Sequence, residues 1–167
     1  MKHVKNIKLQ SFRGTAIQVP SRDENMEIIW EDKAARDMAK EDGTVDKVLR
    51  ELVFQIPGDL MTGQDSIHGS RLYNQIWESL RKEDGLSLSI EDAEWEWAIR
   101  KLEDDKIGPK LLHMSHHKVL EQFRALAAEA REEKQATRKA RRAPGRHDMN
   151  ASPNESPVKV GRDGASE

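Results

Sequence analysis

The sequence predicts an α+β, mainly helical fold: an N-terminal β-hairpin, to which a third strand can be added, packed against four or five helices and followed by a disordered C-terminal tail. Three observations carry this expectation. Residues 4–19 alternate between apolar and polar, apolar residues from Val45 onward recur at helical spacing, and from about Ala143 the chain turns to Ser, Pro, Asn and Gly with little to bury. Residues 1–130 therefore read as one mainly helical domain, 131–142 as a basic helical extension and 143–167 as a disordered tail.

The hairpin comes first. Residues 4–9 place Ile7 and Leu9 on one side, residues 16–19 do the same with Ile17 and Val19, and Arg13-Gly14 lies between them as a turn. Two strands alone are marginal, so residues 27–30 are the candidate for a third. Trp30, Ala34 and Met38 then recur at i, i+4 and i+8 and predict a short helix ending at Gly43. Val45, Val48, Leu49, Leu52 and Val53 trace the next helix, with Thr44 placed to accept its first N–H groups and Pro57-Gly58 to stop it. Residues 58–69 read as a loop, and Leu72, Tyr73, Ile76, Trp77 and Leu80 form a clean helical stripe closed by Gly85. Ser89 with Glu91 and Asp92 reads as a capping box opening another helix, which Ile107-Gly108-Pro109 breaks. Ser115 caps a last long helix whose stripe is Leu120, Phe123, Leu126, Ala127 and Ala130.

Composition bounds the function. The chain is 36% hydrophobic and 35% charged, against roughly 25% charged for an average domain, so heavily charged outer faces are expected. It has no cysteine, which removes disulfides and thiolate metal sites and suits a reducing, cytoplasmic compartment. No run approaches the length of a membrane span, and the N-terminus lacks the apolar stretch of a signal peptide. The net charge of −2 conceals an asymmetry: residues 131–167 hold nine Lys/Arg against six Asp/Glu, so the remainder is acidic.

Three sets of residues could carry function. Trp95 and Trp97 are two apart, so on a helix their rings point about 200° apart and cannot share one narrow stripe. Two readings stand level: Trp97 is exposed and, with Trp95 and Glu94, marks a protein-contact face, or the helix is sandwiched and both indoles are buried. The second set is Lys134, Arg138, Lys139, Arg141, Arg142 and Arg146, a run without an acid that could contact nucleic acid or an acidic partner, though it lacks aromatics for base stacking. The third is His113, His117 and Glu121, which would share a face and could hold a metal if one helix began before Leu112. Ser115 as the cap argues instead for surface histidines, and no H-E-x-x-H motif, nucleophile elbow or phosphate loop is present.

Asn6-Ile7-Lys8-Leu9 and residues 45–52, 69–76 and 86–95, spread over residues 4–123, give an order of elements that resembles a loose group of small phage-encoded accessory proteins. The resemblance lies in hydrophobic spacing and brings no catalytic residues. It implies an accessory protein of phage infection, in the host cytoplasm, acting by binding another macromolecule. The expectation is a non-enzymatic protein that needs no cofactor and binds another protein through its folded part. The alternatives are a nucleic-acid-associated factor acting through the basic segment and, less favoured, a metal-dependent enzyme using the histidines.

Overall fold

The computed structural model describes residues 1–82 and 85–142, the last two by their backbone. The expected disorder from Ala143, and Arg146 with it, lies outside the described residues. The fold is α+β and mainly helical. Among the described residues, six short strands and four long helices, with a one-turn helix between the last two, surround one apolar core.

Strand β1 (Lys2–Lys5) pairs antiparallel with β6 (Ser87–Ile90), Val4 opposite Leu88 and Lys2 opposite Ile90. Val4, Leu88 and Ile90 face inward and are completely buried, which is why this pairing wins over a simple hairpin. The hairpin survives further along: Gln10 bridges Ala16 across a tight turn in which Gly14 has φ of 77°, a conformation that favours glycine. Between the two pairings the chain changes partner, from β6 to the start of the first helix, where Lys8 bridges Thr44. That change breaks the alternation, so Leu9 is buried while Ile7, expected beside it, is exposed.

Strand β2 (Gln18–Pro20) pairs with β5 (Lys40–Asp42), and β3 (Trp30–Asp32) with β4 (Asp37–Met38). The third strand expected at residues 27–30 is therefore present in part: Arg22 bridges Ile28, and Ile29 donates its N–H to Ser21. The helix expected from Trp30 to Gly43 is not formed. Asp32 accepts from the N–H groups of Ala34 and Ala35, closing a tight turn, and Arg36 takes a positive φ. Residues 31–37 are exposed throughout, so a helical stripe there would have nothing to bury against.

Helix α1 (Val45–Gln55) buries Val48, Leu49 and Leu52. Its N-terminus is capped from a distance rather than by Thr44: the side-chain oxygen of Asn6 accepts the Asp46 N–H at 3.0 Å, and the Ile7 carbonyl accepts the Val45 N–H at 3.1 Å. The Thr44 hydroxyl donates instead to the Asp46 carboxylate. The strands are tied to α1 by Arg22, whose guanidinium makes two contacts with the buried Glu51 carboxylate.

Helix α2 (Gly63–Lys82) begins well before the expected Gly69. Thr62 and Asp65 cap it reciprocally: the Asp65 carboxylate accepts the Thr62 N–H at 2.9 Å, and the Thr62 hydroxyl oxygen accepts the Asp65 N–H at 3.2 Å. Ser89 does not open a helix but sits in β6, and α3 (Asp92–Glu103) starts two residues after that strand with Glu91 as N-cap. Residues 86–90 alternate in period two, and the demand of Leu88 and Ile90 for the core outweighs the capping signal.

The expected break at Ile107-Gly108-Pro109 is a junction into the one-turn helix α4 (Gly108–Leu112), with Pro109 in its first turn. Gly108 packs so closely that an added Cβ would stand 1.9 Å from the Leu102 carbonyl oxygen and 2.4 Å from His116 Nε2. Helix α5 (His116–Arg142) starts directly after Ser115, buries Val119, Phe123 and Leu126, and runs on beyond the core with residues 131–140 exposed. No helix among the described residues is long and apolar enough to cross a membrane.

Candidate binding groove between α3 and α5

Helix α3 is sandwiched, and that settles where its two tryptophans lie. Trp95 is 2% exposed and Trp97 3% exposed, so the expectation of an exposed indole at Trp97 is corrected. Glu94, grouped with them as a contact residue, has no exposed surface at all. The two rings do point to opposite sides, but each side is covered by a different helix.

On the Trp97 side lies α2. The Trp97 indole N–H donates to Asp65 at 2.8 Å, Lys101 approaches the same carboxylate at 3.0 Å, and the His68 ring stacks on the indole with centroids 6.1 Å apart. Burial pushes the Asp65 carboxyl up, but hydrogen bonds from Trp97, the Thr62 N–H, Lys101 and the Thr62 hydroxyl outweigh it and hold the group well below the usual carboxylate range. Glu94 Oε1 lies 3.2 Å from His68 Nδ1, and Glu94 Oε2 has no hydrogen-bond partner among the described residues. Apart from that oxygen, these groups answer one another and knit α3 to α2. Their presence inside, not on the surface, removes the proposed contact face.

On the Trp95 side lies α5, and here the two helices do not close completely. Trp95 packs on Phe123 with ring centroids 5.5 Å apart. Above that contact a groove of about 490 Å³ opens, lined by Trp95, Glu96, Ile99 and Arg100 of α3 and by Arg124, Ala127, Ala128 and Arg131 of α5. The sequence explains the gap. Trp95, buried, and Ile99, half-buried, lie one turn apart beneath the groove, while Ala127 and Ala128 have only a methyl group to offer from the facing helix. Larger residues at 127 and 128 would fill the space.

The rim is mixed in charge, with Arg100, Arg124 and Arg131 outnumbering Glu96. Arg124 reaches Glu103 at 2.6 Å across the mouth, whereas Arg100 and Arg131 make no ion pair among the described residues. The Trp95 indole N–H is buried without an acceptor among the described residues. A buried donor in that state costs about 1–3 kcal/mol.

The basic run stands on the same helix. Lys134 leans toward Asp92 at 3.9 Å, and Arg138 and Lys139 are exposed with no ion-pair partner among the described residues. Arg141 and Arg142 lie in the last turn of α5. The histidine set does not come together: α5 begins at His116, so His113 falls before it at the end of α4 and outside the register of the other two. His117 and Glu121 pair at 3.3 Å on an exposed face, and no group of three metal-ligating side chains gathers among the described residues.

Sequence reasoning named Trp95 and overlooked Arg100, Arg124 and the two alanines. One signal was present: Arg124, Arg131 and Arg138 recur every seven residues, with Ala127-Ala128 between the first two. No family model matches the chain, and no curated protein or solved structure proved similar to it, so the chemistry of this groove is the ground on which its function is read.

Proposed function

We propose that the chain is a non-enzymatic binding protein that receives a segment of another protein in the groove between α3 and α5. The observation that supports this is a groove over Ile99, Ala127 and Ala128, with Trp95 buried beneath them, beside two arginines, Arg100 and Arg131, that have no acid partner among the described residues. An apolar side chain seated over Ile99 and the two alanines gains about 25 cal/mol per Å² covered. The reading keeps the accessory role in a reducing phage-infected cytoplasm that the sequence suggested, and it moves the contact face from Trp97 to the far side of the same helix.

The test is a random-peptide display selection against the full chain, with enriched peptides titrated against the parent and against Ala128→Trp. Ala128 is exposed, so the indole plugs the groove without disturbing the core. Enriched peptides should lose at least tenfold in affinity for the variant, whose circular dichroism and melting temperature stay unchanged. Peptides that bind both forms equally, or no enrichment at all, would remove the groove as the binding site.

A second reading is favoured by one observation: α5 carries exposed Arg138 and Lys139 past the core with no acid against them. These could hold phosphates of a nucleic acid, with the strong salt dependence that such contacts bring.

A further inference from the structure

The groove does not end where the body ends. On an α-helix, positions three, four and seven apart share a face, and Arg124, Ala127, Ala128, Arg131, Gln135 and Arg138 follow one another at those intervals along α5. Arginines recur every seven residues, about two turns or 10.5 Å apart at 1.5 Å per residue. Of the acids here, Glu129 and Glu133 fall on the opposite face, where Lys5 engages Glu129 at 3.2 Å, and Glu132 flanks the strip one turn from Ala128. The apolar groove and the basic run, which looked like separate features, are therefore one continuous strip.

Resting on the groove reading above, we infer that the occupant is an acidic amphipathic helix of a partner protein, lying along α5. Its acidic residues, spaced by seven, meet Arg124, Arg131 and Arg138, and its apolar residues between them enter over Ala127 and Ala128. The small alanines allow a partner helix to approach to the 8–10 Å typical of packed helices. The cations are spaced for one helix face and are largely free: Arg131 and Arg138 have no acid partner among the described residues, and only Arg124 is answered, by Glu103.

Nucleic acid fits the same strip less well. The floor of Ile99 and alanines is apolar, which a phosphate backbone cannot use, and it offers no exposed ring for a base to stack on. An acidic helix uses both halves of the strip, whereas phosphates use only the cations.

The experiment is a set of anisotropy titrations with the full chain. The probes are a helical peptide with Glu every seven residues and Leu three and four positions after each Glu, the same peptide with Lys for Glu, the same with Ser for Leu, and a short DNA duplex. The proteins are the parent, Arg131→Glu/Arg138→Glu and Ala128→Trp. The Glu peptide should bind the parent at least tenfold more tightly than either control peptide and than the duplex. Charge reversal should invert the preference toward the Lys peptide, and Ala128→Trp should weaken every peptide. If Glu and Lys peptides bind alike but Ala128→Trp still blocks both, the groove stands and the acidic class is wrong. If Ala128→Trp changes the binding of no peptide, the groove reading falls and this inference with it; if the Glu peptide does not bind, this inference falls and the random-peptide selection decides the groove. Binding of the duplex alone, lost on charge reversal, replaces both with the nucleic-acid reading.

Discussion

At the residue scale, Asp65 concentrates the most chemistry in the fewest atoms. One carboxylate caps α2 through Thr62, accepts the Trp97 indole N–H and faces Lys101, all in a setting that is 6% exposed. Those partners favour the ionised form, so its carboxyl titrates below the ordinary Asp value of about 3.9 that applies to the unfolded chain. The sign follows: the stability it contributes is fully present above about pH 4 and is lost as pH falls through its depressed folded value. Asp65→Asn keeps the shape but not the charge and should cost roughly 1.5–3 kcal/mol at pH 7, the range for hydrogen bonds to a charged group. Urea denaturation at pH 7 and again near pH 3 checks this. The gap between parent and variant should narrow at the lower pH, and a gap that stays constant would show that the charge contributes nothing.

At the element scale, the helices that buried a stripe were legible, and those whose ends depend on distant partners were not. Val48, Leu49 and Leu52 in α1 and Phe123 and Leu126 in α5 announce themselves by period, because each needs only to know which face is apolar. The start of α2 was missed although T-x-x-D at Thr62 and Asp65 is a capping pattern, since a glycine and polar residues follow where a stripe was sought. Strand β6 was missed because its partner, β1, lies more than eighty residues earlier, and Leu88 and Ile90 alone are too short a run to outvote a helix signal. The groove was illegible for a similar reason: Arg124 and Ala128 mean little until α3 brings Trp95 and Ile99 against them.

Distant capping makes its own prediction. Asn6 accepts the Asp46 N–H and donates to the Gly85 carbonyl at 2.9 Å, so one side chain fixes the start of α1 and the approach to β6. Thr44, the local candidate, spends its hydroxyl on the Asp46 carboxylate, which also holds Arg50 at 2.8 Å. Asn6→Ala should therefore lower stability by about 1–2 kcal/mol, within the usual range for a lost cap, and by more than Thr44→Ala does. Equal losses for the two variants in parallel thermal melts would return the capping role to Thr44.

At the scale of the whole molecule, the first five residues do more than begin the chain. Strand β1 completes the two-stranded sheet with β6, α5 packs against β1, and α2 packs against β6. Charges reinforce the same closure: Lys2 meets Asp92 at 2.6 Å, the N-terminal ammonium approaches it at 3.4 Å, and Lys5 meets Glu129 on α5. The Lys2 hydrogen bond and the ammonium hold the Asp92 carboxyl down to about 2 against the opposing effect of burial. Removing residues 1–5 takes away one whole strand and the burial of Val4, worth about 1.5–3 kcal/mol by itself, and leaves the backbone of β6 without its partner. At several degrees per kcal/mol for a chain of this size, calorimetry should record a melting temperature lower by about 10 °C or more. The consequence reaches the groove, because α5 supplies one wall and rests on the deleted strand. Affinity for a groove-bound peptide should fall together with the melting temperature. A truncated chain that melts as the parent does, or that melts earlier yet binds undiminished, would show that the N-terminal strand and the groove wall are not mechanically joined.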